Sequence, residues 1–287
     1  MFNPVNLQQL PTNLYQLCQI LQQASQILQK QYALYCQGGD FTVQQKQDES
    51  PVTQADLLVN QFLVQQLNAL DVVYPILSEE GQHEERKHWQ EFWMIDPLDG
   101  TKEFIKKTGE FTINLSLIRE GELVVSALAV PLKNTIYINQ QNNLPYRYIW
   151  SENQVDLSQY ADQRVNGYVE NDRILNIAMS RRPQQSGYKI FLDNLDQAKI
   201  NYHKVVAGSA YKFCMMLEGE IDIYPRLHPT SEWDTAAGQG LLQGIGGEVF
   251  TISGKPFVYN QRNTLENGSF FAVCNVDDWA YFKKFLP

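Results

Sequence analysis

Cysteine is scarce in this sequence of 287 residues, which contains only four. The cysteines are widely scattered and form no CxxC pair: they are Cys18, Cys36, Cys214 and Cys274. This spacing argues against a disulfide framework and against a structural zinc site, so we expect buried, reduced thiols. The four histidines show no HxH or HExxH spacing, and we therefore expect them to be structural or surface groups.

Long apolar runs are also missing. No stretch approaches the roughly 18 uncharged apolar residues that a membrane-spanning helix needs. The N-terminal segment lacks a basic region followed by an apolar one. We therefore expect a soluble, cytoplasmic protein, with peripheral association at the inner membrane left open and the oligomeric state unknown.

Positive charge is in deficit, because the net charge is −9 and no basic stripe is present. A polymeric nucleic acid is therefore not expected as a partner, since binding it requires neutralisation of phosphates along a surface. A small anionic ligand is still compatible with this charge, because a bound divalent cation reverses the local potential of a pocket.

The sequence does contain enough apolar residues, 44%, for one large domain or two closely packed ones. Apolar residues at three- and four-residue steps predict an N-terminal helix. They are Leu14, Leu17, Leu21, Ala24 and Leu28. A second amphipathic helix is predicted to begin at Thr53 or Asp56 and to use Leu57, Phe62, Leu63 and Leu67.

The strand pattern divides the chain into two halves. The segments VVYPILSEE and FWMIDPLDG each read as a buried strand that ends in acids, and FTINLSLIRE, GELVVSALAVP and NTIYINQ predict an antiparallel meander. The polar stretch 140–163 reads as the crossing into a half where strands and helices alternate. We therefore predict an α+β subdomain at 1–150 and an α/β subdomain at 151–287.

Five acidic residues fall where a predicted helix or strand begins or ends. They are Asp56, Glu79, Asp96, Asp99 and Asp234. If they converge, they repel one another and lose hydration, and the usual remedies are raised pKa values or a bound cation. Carboxylate oxygens select Mg²⁺, Mn²⁺ or Ca²⁺. Sequence spacing alone does not show whether the five acids converge.

The stretch DPLDGT makes the strongest local case. Pro97 keeps Asp96 out of helical geometry and Gly100 lets the turn close, so that Asp96, the Leu98 carbonyl and Asp99 can face one side. The alternative is an ordinary Pro-Asp-Gly turn with solvated acids. For Asp56 and Asp234, the alternative is a role as helix caps.

Two stretches, DPLDGT followed by KEFIKKTGEFTINLSLI, and EWDTAAGQGLLQGIGGEV, are similar to the two signature regions of the inositol monophosphatase superfamily of metal-dependent phosphomonoesterases. SPVTQAD, SEE, SRRP and GSAYKFCMMLEGEIDIYPR agree in order, so the resemblance runs from about Lys46 to Val249. The KEF, KFC and YPR pieces are most similar to the bacterial 3′(2′),5′-bisphosphate nucleotidases. The resemblance implies a layered α-β-α-β-α sandwich.

The resemblance also implies roles for individual residues. Two or three Mg²⁺ ions would be held by Glu79, Asp96, the Leu98 carbonyl, Asp99 and Asp234. Asp56 and Thr101 would orient and deprotonate the attacking water. The substrate would be bound by Glu79, Leu98, Asp99, Gly100, Thr101, Ser180, Arg181, Gly208, Ser209, Lys212, Arg226 and Asp234. For the nucleotide-recognition positions Ser180, Arg181, Gly208, Ser209, Lys212 and Arg226, a purely structural role is the alternative.

The function implied is Mg²⁺-dependent hydrolysis of adenosine 3′,5′-bisphosphate, a small-molecule nucleotide, to AMP and phosphate. No nucleophilic side chain is required, and neither a C-x5-R loop nor a D-x-D-x-[TV] motif occurs. One alternative is an inositol or sugar phosphatase, including one that acts on fructose 1,6-bisphosphate. Another is an inactive metal- or nucleotide-binding protein.

Overall fold

The computed structural model describes residues 2–4, 12–38, 43–45, 51–82, 84–150, 155–160, 174–180 and 186–287. Its helices are α1 (Thr12–Cys36), α2 (Gln54–Asn68), α3 (Thr101–Ile105), α4 (Ser186–Gln197), α5 (Tyr211–Leu217), α6 (Ala236–Gln243) and α7 (Asp277–Phe282). Short 3₁₀ helices lie at Arg86–His88, Pro131–Lys133, Glu232–Asp234 and Lys283–Phe285.

Within the described residues, the strands fall into two large sheets and two small ones. They are β1 (Phe2–Pro4), β2 (Val43–Gln45), β3 (Pro51–Thr53), β4 (Ile76–Ser78), β5 (Glu91–Asp99), β6 (Thr112–Arg119), β7 (Glu122–Val130), β8 (Thr135–Gln140), β9 (Tyr146–Trp150), β10 (Val155–Tyr160), β11 (Leu175–Met179), β12 (Tyr202–Val206), β13 (Ile223–Arg226), β14 (Thr230–Ser231), β15 (Glu248–Thr251), β16 (Glu266–Asn267) and β17 (Phe270–Val273). β2 pairs with β3, and β14 pairs with β16.

Eight strands form the first sheet, in the order β1-β10-β9-β8-β7-β6-β5-β4. The predicted meander is confirmed, because β6, β7 and β8 pair antiparallel. Glu120 and Gly121 close the first turn with positive φ angles of 52° and 89°. In contrast, β4 runs parallel to β5. The carboxyl ends of these two strands therefore meet at one edge of the sheet, and both lead into predicted ligands.

The prediction that 140–163 is a polar crossing is wrong for part of that stretch. β9 and β10 lie within it and hydrogen-bond to each other and, through β9, to β8. Aromatic residues at alternate positions of β9, Tyr146, Tyr148 and Trp150, favour a strand. The first sheet therefore continues beyond residue 150, and the division into two subdomains stays a prediction.

The second sheet has the order β12-β11-β13-β17-β15. β11 runs parallel to β12 and β13, whereas β17 runs antiparallel to β13 and β15. The predicted helices and strands of this half, from α4 through β13, are confirmed. Parallel strands joined through helices place those helices on the faces of the sheet.

Three apolar cores stack the elements into layers. α1 and α2 cover one face of the first sheet. α5 and α6 fill the space between the two sheets. α4 and α7 cover the outer face of the second sheet. The predicted α-β-α-β-α sandwich is confirmed by this arrangement.

The two N-terminal helices differ in how well their buried faces were predicted. All five predicted residues of α1 are buried. α2 begins after Thr53, as predicted, and buries Ala55, Val59, Leu63 and Leu67. Leu57 is 46% exposed, so its predicted place on the buried face is wrong. Its position two residues after Ala55 turns it to the opposite side of the helix.

No helix in the described part of the chain is both long enough and apolar enough to cross a membrane.

Candidate metal and phosphate site

Three acids from two distant parts of the sequence meet at the end of β5. Each of Asp96, Asp99 and Asp234 has a carboxylate oxygen within 4.8 Å of the other two, and we call them the acidic cluster. Asp96 and Asp99 end β5, where the pairing with β6 is irregular. Asp234 ends the 3₁₀ helix Glu232–Asp234. The structure therefore brings together three of the predicted metal ligands.

The turn that ends β5 has the predicted form. The Leu98 N–H donates to Asp96 Oδ1 at 3.0 Å, which fixes the Asp96 carboxylate beside its own backbone. Gly100 has a φ of 100°, and a Cβ there would lie 3.0 Å from the Glu110 carbonyl oxygen and 3.1 Å from Ser209 Cβ. Both the backbone conformation and the neighbouring loop therefore require glycine.

Glu79 lies beside the acidic cluster because β4 and β5 pair in parallel. Its N–H donates to the Ile95 carbonyl oxygen at 3.1 Å, which places it directly beside Asp96. Its charge contributes, after burial, to the raised pKa values of Asp96 and Asp234. The sequence predicted both strands, and their parallel pairing places Glu79 with the cluster.

Burial and mutual repulsion disfavour the ionised forms of the cluster. Burial, reinforced by the neighbouring acids, raises the pKa values of Asp96 and Asp234 well above their usual range. Burial raises the pKa of Asp99 to about 6, against the stabilising N–H of Ala210 and the charge of Lys212. Several carboxylate oxygens that repel one another fit a hard divalent cation such as Mg²⁺, which removes the repulsion.

Asp56 and Thr101 form a hydrogen-bonded pair beside the cluster. Thr101 Oγ1 lies 3.1 Å from Asp56 Oδ1 and 3.3 Å from the Leu98 carbonyl oxygen, and it can donate to either. The N–H and the hydroxyl of Thr53 both donate to Asp56 Oδ2 in a capping box at the start of α2. The capping role proposed for Asp56 and its pairing with Thr101 therefore coexist, because each uses a different oxygen.

Asp234 also accepts a capping hydrogen bond, although it does not cap α6. The Ser231 N–H donates to Asp234 Oδ2 at 2.8 Å within the 3₁₀ helix. The residue at the N-cap of α6 is Thr235. Because a carboxylate has two oxygens, this bond leaves lone pairs of Asp234 for a cation.

The loop 207–210 closes the opposite side of the site. The Gly208 N–H donates to Glu110 Oε2 at 2.8 Å, and the Ala210 N–H donates to Asp99 Oδ2 at 2.6 Å. A Cβ at Gly208 would lie 2.4 Å from Glu103 Cγ. Two acids of the N-terminal half thus hold this loop, and the space at Gly208 admits no side chain.

Two cations extend the site away from the acids. Lys212 is buried, and its Nζ donates to the Ala207 and Ser209 carbonyl oxygens at 3.1 and 2.7 Å. Burial, with the charge of Arg226, lowers the pKa of Lys212 to about 7. Arg226 Nη1 donates to Tyr224 Oη at 3.4 Å. Within the described part of the chain, Arg226 Nε is buried without a hydrogen-bond partner.

One cavity of about 300 Å³ joins these features. Ten of the predicted site residues line it: Glu79, Asp99, Gly100, Thr101, Ser180, Gly208, Ser209, Lys212, Arg226 and Asp234. Three others, Asp56, Asp96 and Leu98, are buried and do not line it. Arg181 lies outside the described residues, so its predicted role stays a prediction.

The sequence analysis missed Asn114, which ties the parts of the site together. Its Nδ2 donates to the Trp233 carbonyl oxygen at 3.1 Å and to Asp99 Oδ2 at 3.4 Å. Thr112 Oγ1 donates to Asn114 Oδ1 at 2.8 Å. The signal available in the sequence was the polar side chain of Asn114 within the mostly apolar strand β6. Glu110 was also missed, and its sequence context gives no comparable signal.

A family model described as the inositol monophosphatase family matches residues 10–274. Over 247 residues the chain is 36% identical to the 3′(2′),5′-bisphosphate nucleotidase CysQ of Haemophilus influenzae, covering 85% of this chain and 88% of that protein. Over 227 residues it is 35% identical to the protein of the same name from Escherichia coli K12, covering 78% and 86%.

Solved structures agree with the fold. The crystal structure of CysQ from Bacteroides thetaiotaomicron, described as a bacterial member of the inositol monophosphatase family, gives a TM-score of 0.75 at 29% identity, covering 93% of this chain and 98% of that one. SuhB from Bartonella henselae gives 0.73 at 18% identity, covering 96% and 98%, and supports the fold alone. With a family model that spans most of its length and relatives above 30% identity, this chain belongs to the inositol monophosphatase family.

Proposed function

We propose that the protein is a Mg²⁺-dependent phosphomonoesterase that hydrolyses adenosine 3′,5′-bisphosphate to AMP and phosphate. The observation that carries this proposal is a single cavity lined by Asp99 and Asp234 of the acidic cluster and by basic side chains that include Lys212 and Arg226. The names of the curated relatives support the choice of a bisphosphorylated nucleotide. The cytoplasmic location stays a prediction.

The residues proposed to hold two or three Mg²⁺ ions are Glu79, Asp96, the Leu98 carbonyl, Asp99 and Asp234. When bound, Mg²⁺ supplies positive charge to the phosphoryl group and lowers the pKa of the attacking water. The raised pKa values of Asp96 and Asp234 support this proposal, since a bound divalent cation offsets both the desolvation caused by burial and the repulsion between neighbouring acids.

Thr101 and Asp56 are proposed to move the proton of the attacking water. Thr101 Oγ1 accepts the proton and passes its own to Asp56 Oδ1, 3.1 Å away. Thr53 donates to the other oxygen of Asp56, so Oδ1 is the acceptor that remains. Burial raises the pKa of Asp56, which makes its carboxylate a better base. The water oxygen bonds to phosphorus and the bond from phosphorus to the ribose 3′-oxygen breaks. That oxygen takes up a proton from solvent, and Asp56 releases to solvent the proton that it received, so the enzyme gains no net proton.

The two phosphates are proposed to bind at different places. The backbone N–H groups of Gly100 and Thr101 would bind the 3′-phosphate beside the cluster. Arg226 would bind the 5′-phosphate, since its buried Nε has no hydrogen-bond partner in the described part of the chain. Lys212 already donates to two loop carbonyls, so only its third N–H is available to substrate. An inositol monophosphate has no second phosphate to use these cations.

Phosphate release from a substrate panel with Mg²⁺ tests the proposal. We expect faster turnover of adenosine 3′,5′-bisphosphate than of inositol 1-phosphate or fructose 1,6-bisphosphate. Equal or faster turnover of inositol 1-phosphate would overturn the substrate choice. Binding of the nucleotide without any Mg²⁺-dependent turnover would establish the inactive binding protein instead.

A matched pair of variants tests the second phosphate site. Arg226→Gln should raise KM for adenosine 3′,5′-bisphosphate by more than 10-fold, since a buried charged hydrogen bond contributes about 1.5–3 kcal/mol. The same variant should change KM for adenosine 3′-phosphate far less, because that substrate lacks the 5′-phosphate. Arg119→Gln is the control, as Arg119 pairs with Glu91 on the surface. Equal changes for both substrates would remove Arg226 from the 5′-phosphate site.

A further inference from the structure

A completely buried charge lies two residues before Asp234. Glu232 is 0% exposed. Its Oε2 accepts from the Asn260 N–H at 2.7 Å, and its Oε1 accepts from Arg262 Nη2 at 2.8 Å. Burying a charge costs several kcal/mol even when the charge is paired, and apolar residues of similar volume often give equal or greater stability. Fold stability alone therefore gives no reason for a charge at this position.

The same loop that carries Arg262 also fixes the residues on both sides of Asp234. Arg262 Nη2 donates to Asn267 Oδ1 at 2.5 Å. Asn267 Nδ2 in turn donates to the Ser231 carbonyl oxygen at 2.8 Å and to Thr235 Oγ1 at 2.9 Å. Asn267 is fully buried. The backbone that aims Asp234 is thus held before and after it by one hydrogen-bonded network.

The far side of this network reaches the strands that carry the other acids. Arg86 lies between β4 and β5, and its Nη1 donates to Asn260 Oδ1 at 2.6 Å. Asn260 Nδ2 donates back to the Arg86 carbonyl oxygen at 2.6 Å. Arg86 Nη2 also donates to the Asn263 carbonyl oxygen at 2.8 Å. The loop 259–267 therefore links the Asp234 turn to the segment that joins the strands leading to Glu79 and Asp96.

We infer that Glu232 and Arg262 are positioning residues that set the direction of the Asp234 carboxylate toward the cation. Asp234 ends a 3₁₀ helix of three residues, and such a short element does not fix its own orientation. The Glu232–Arg262 pair fixes that helix to the loop 259–267. This inference rests on the proposed function, because it assigns Asp234 to a cation site.

Direct binding of Mn²⁺, followed by electron paramagnetic resonance of the free ion, tests the inference without an activity assay. Glu232→Gln and Arg262→Gln should each raise the Mn²⁺ dissociation constant about 10-fold, the usual effect of losing a group that orients a ligand. Thermal melts establish that each variant is folded. Arg262 is partly exposed, with a side-chain exposure of 32%, so its variant keeps the test available if Glu232→Gln fails to fold.

The direction in which Arg262→Gln changes the Mn²⁺ dissociation constant distinguishes a positioning role from a purely electrostatic one. If the pair acted only through its electrostatic potential, removal of a positive charge would tighten cation binding. If the pair positions Asp234, the same change weakens binding. Arg262→Lys keeps the positive charge and a nitrogen that can donate hydrogen bonds. This variant should lose less Mn²⁺ affinity than Arg262→Gln. Tighter Mn²⁺ binding by Arg262→Gln would overturn the inference.

Glu248→Gln is the matched control. Glu248 is also a buried glutamate, and it accepts from the Val249 N–H at 2.8 Å and from Gln243 Nε2 at 3.1 Å, beyond the far end of α6. The Glu248→Gln variant should leave the Mn²⁺ dissociation constant unchanged. A wild-type protein that neither binds Mn²⁺ nor hydrolyses the nucleotide refutes the proposed function. A wild-type protein that does both, with wild-type Mn²⁺ affinity in Glu232→Gln and Arg262→Gln, refutes this inference alone.

Discussion

Replacement of Asp99 with asparagine should abolish activity and at the same time stabilise the metal-free protein. The side chains have nearly the same shape, so the variant creates no cavity. The amide oxygen can still accept the 2.6 Å hydrogen bond that the Ala210 N–H donates to Asp99 Oδ2. What is lost is one negative charge in a cluster where charges repel, and one anionic ligand for a hard cation.

The size of the expected stabilisation by Asp99→Asn follows from the raised pKa of Asp99. Burial raises this pKa from 3.8 to about 6 in the folded protein. The folded state therefore binds more protons than the unfolded state between these values, and the free energy of unfolding falls as pH rises through that window. The full shift corresponds to ~3 kcal/mol. Since Asp99 is only partly buried, solvent screening reduces it to roughly 1–2 kcal/mol.

Thermal melts in EDTA and phosphate release with Mg²⁺ together check this prediction. At pH 7.5 the variant should melt about 2–6 °C above the wild type, and the difference should vanish below about pH 4. Asp71→Asn, at an exposed position, is the control and should change neither quantity. Retained turnover at ordinary Mg²⁺ would remove Asp99 from the ligand set. An unchanged or lower melting temperature at pH 7.5 would refute the electrostatic reasoning.

Three further outcomes are expected. Thr101→Ala should lower kcat by about 10²–10⁴-fold, whereas Thr101→Ser, which keeps the hydroxyl, should retain most of it; equal losses would contradict the proton path. Gly208→Ala should lower the free energy of unfolding by about 1–3 kcal/mol in urea titrations, because its Cβ would lie 2.4 Å from Glu103 Cγ. Gly268→Ala, with no atom within 4 Å of its Cβ, should be neutral, and an equal cost at both sites would refute the packing argument. The family resemblance implies inhibition by Li⁺ that extra substrate does not relieve, since a monovalent hard cation supplies half the charge of Mg²⁺. Initial rates at fixed Mg²⁺ and ionic strength check it, and equal slowing by Na⁺ would contradict it.

Local patterns were sufficient for most of the elements. The buried face of α1 follows from its apolar spacing, and the turn at Pro97 and Gly100 follows from backbone sterics. Leu57 was misplaced because an amphipathic pattern on a short helix admits more than one assignment of the buried face, and only packing against α1 and the sheet selects one. β9 and β10 were missed because polar residues flank and interrupt them, while their partners in the sheet supply the hydrogen bonds.

The site likewise contains residues that the sequence indicated and contacts that it did not. The sequence indicated the acids directly, and its family resemblance implied roles for the Thr101 hydroxyl, Lys212 and Arg226, which stay predictions. It did not indicate that Lys212 holds the loop 207–210 through two carbonyls, nor that Glu110 accepts from Gly208. These contacts join residues about 100 positions apart or depend on how a loop folds back, and no local spacing records them.

By itself, the sequence determined the types of most elements, the turn that presents Asp96 and Asp99, and the kind of chemistry that such acids perform. Each of these depends on interactions within a few residues or on a motif read directly from the chain. Only the tertiary structure decided that Asp234 joins the other two, since this requires the Glu232–Asp234 turn to be held against the end of β5. Electrostatic repulsion acts between groups that are close in space and desolvation requires burial, so the pKa values of Asp96 and Asp234 are raised, and the proposed cation site is formed, only once the fold has brought the acids together.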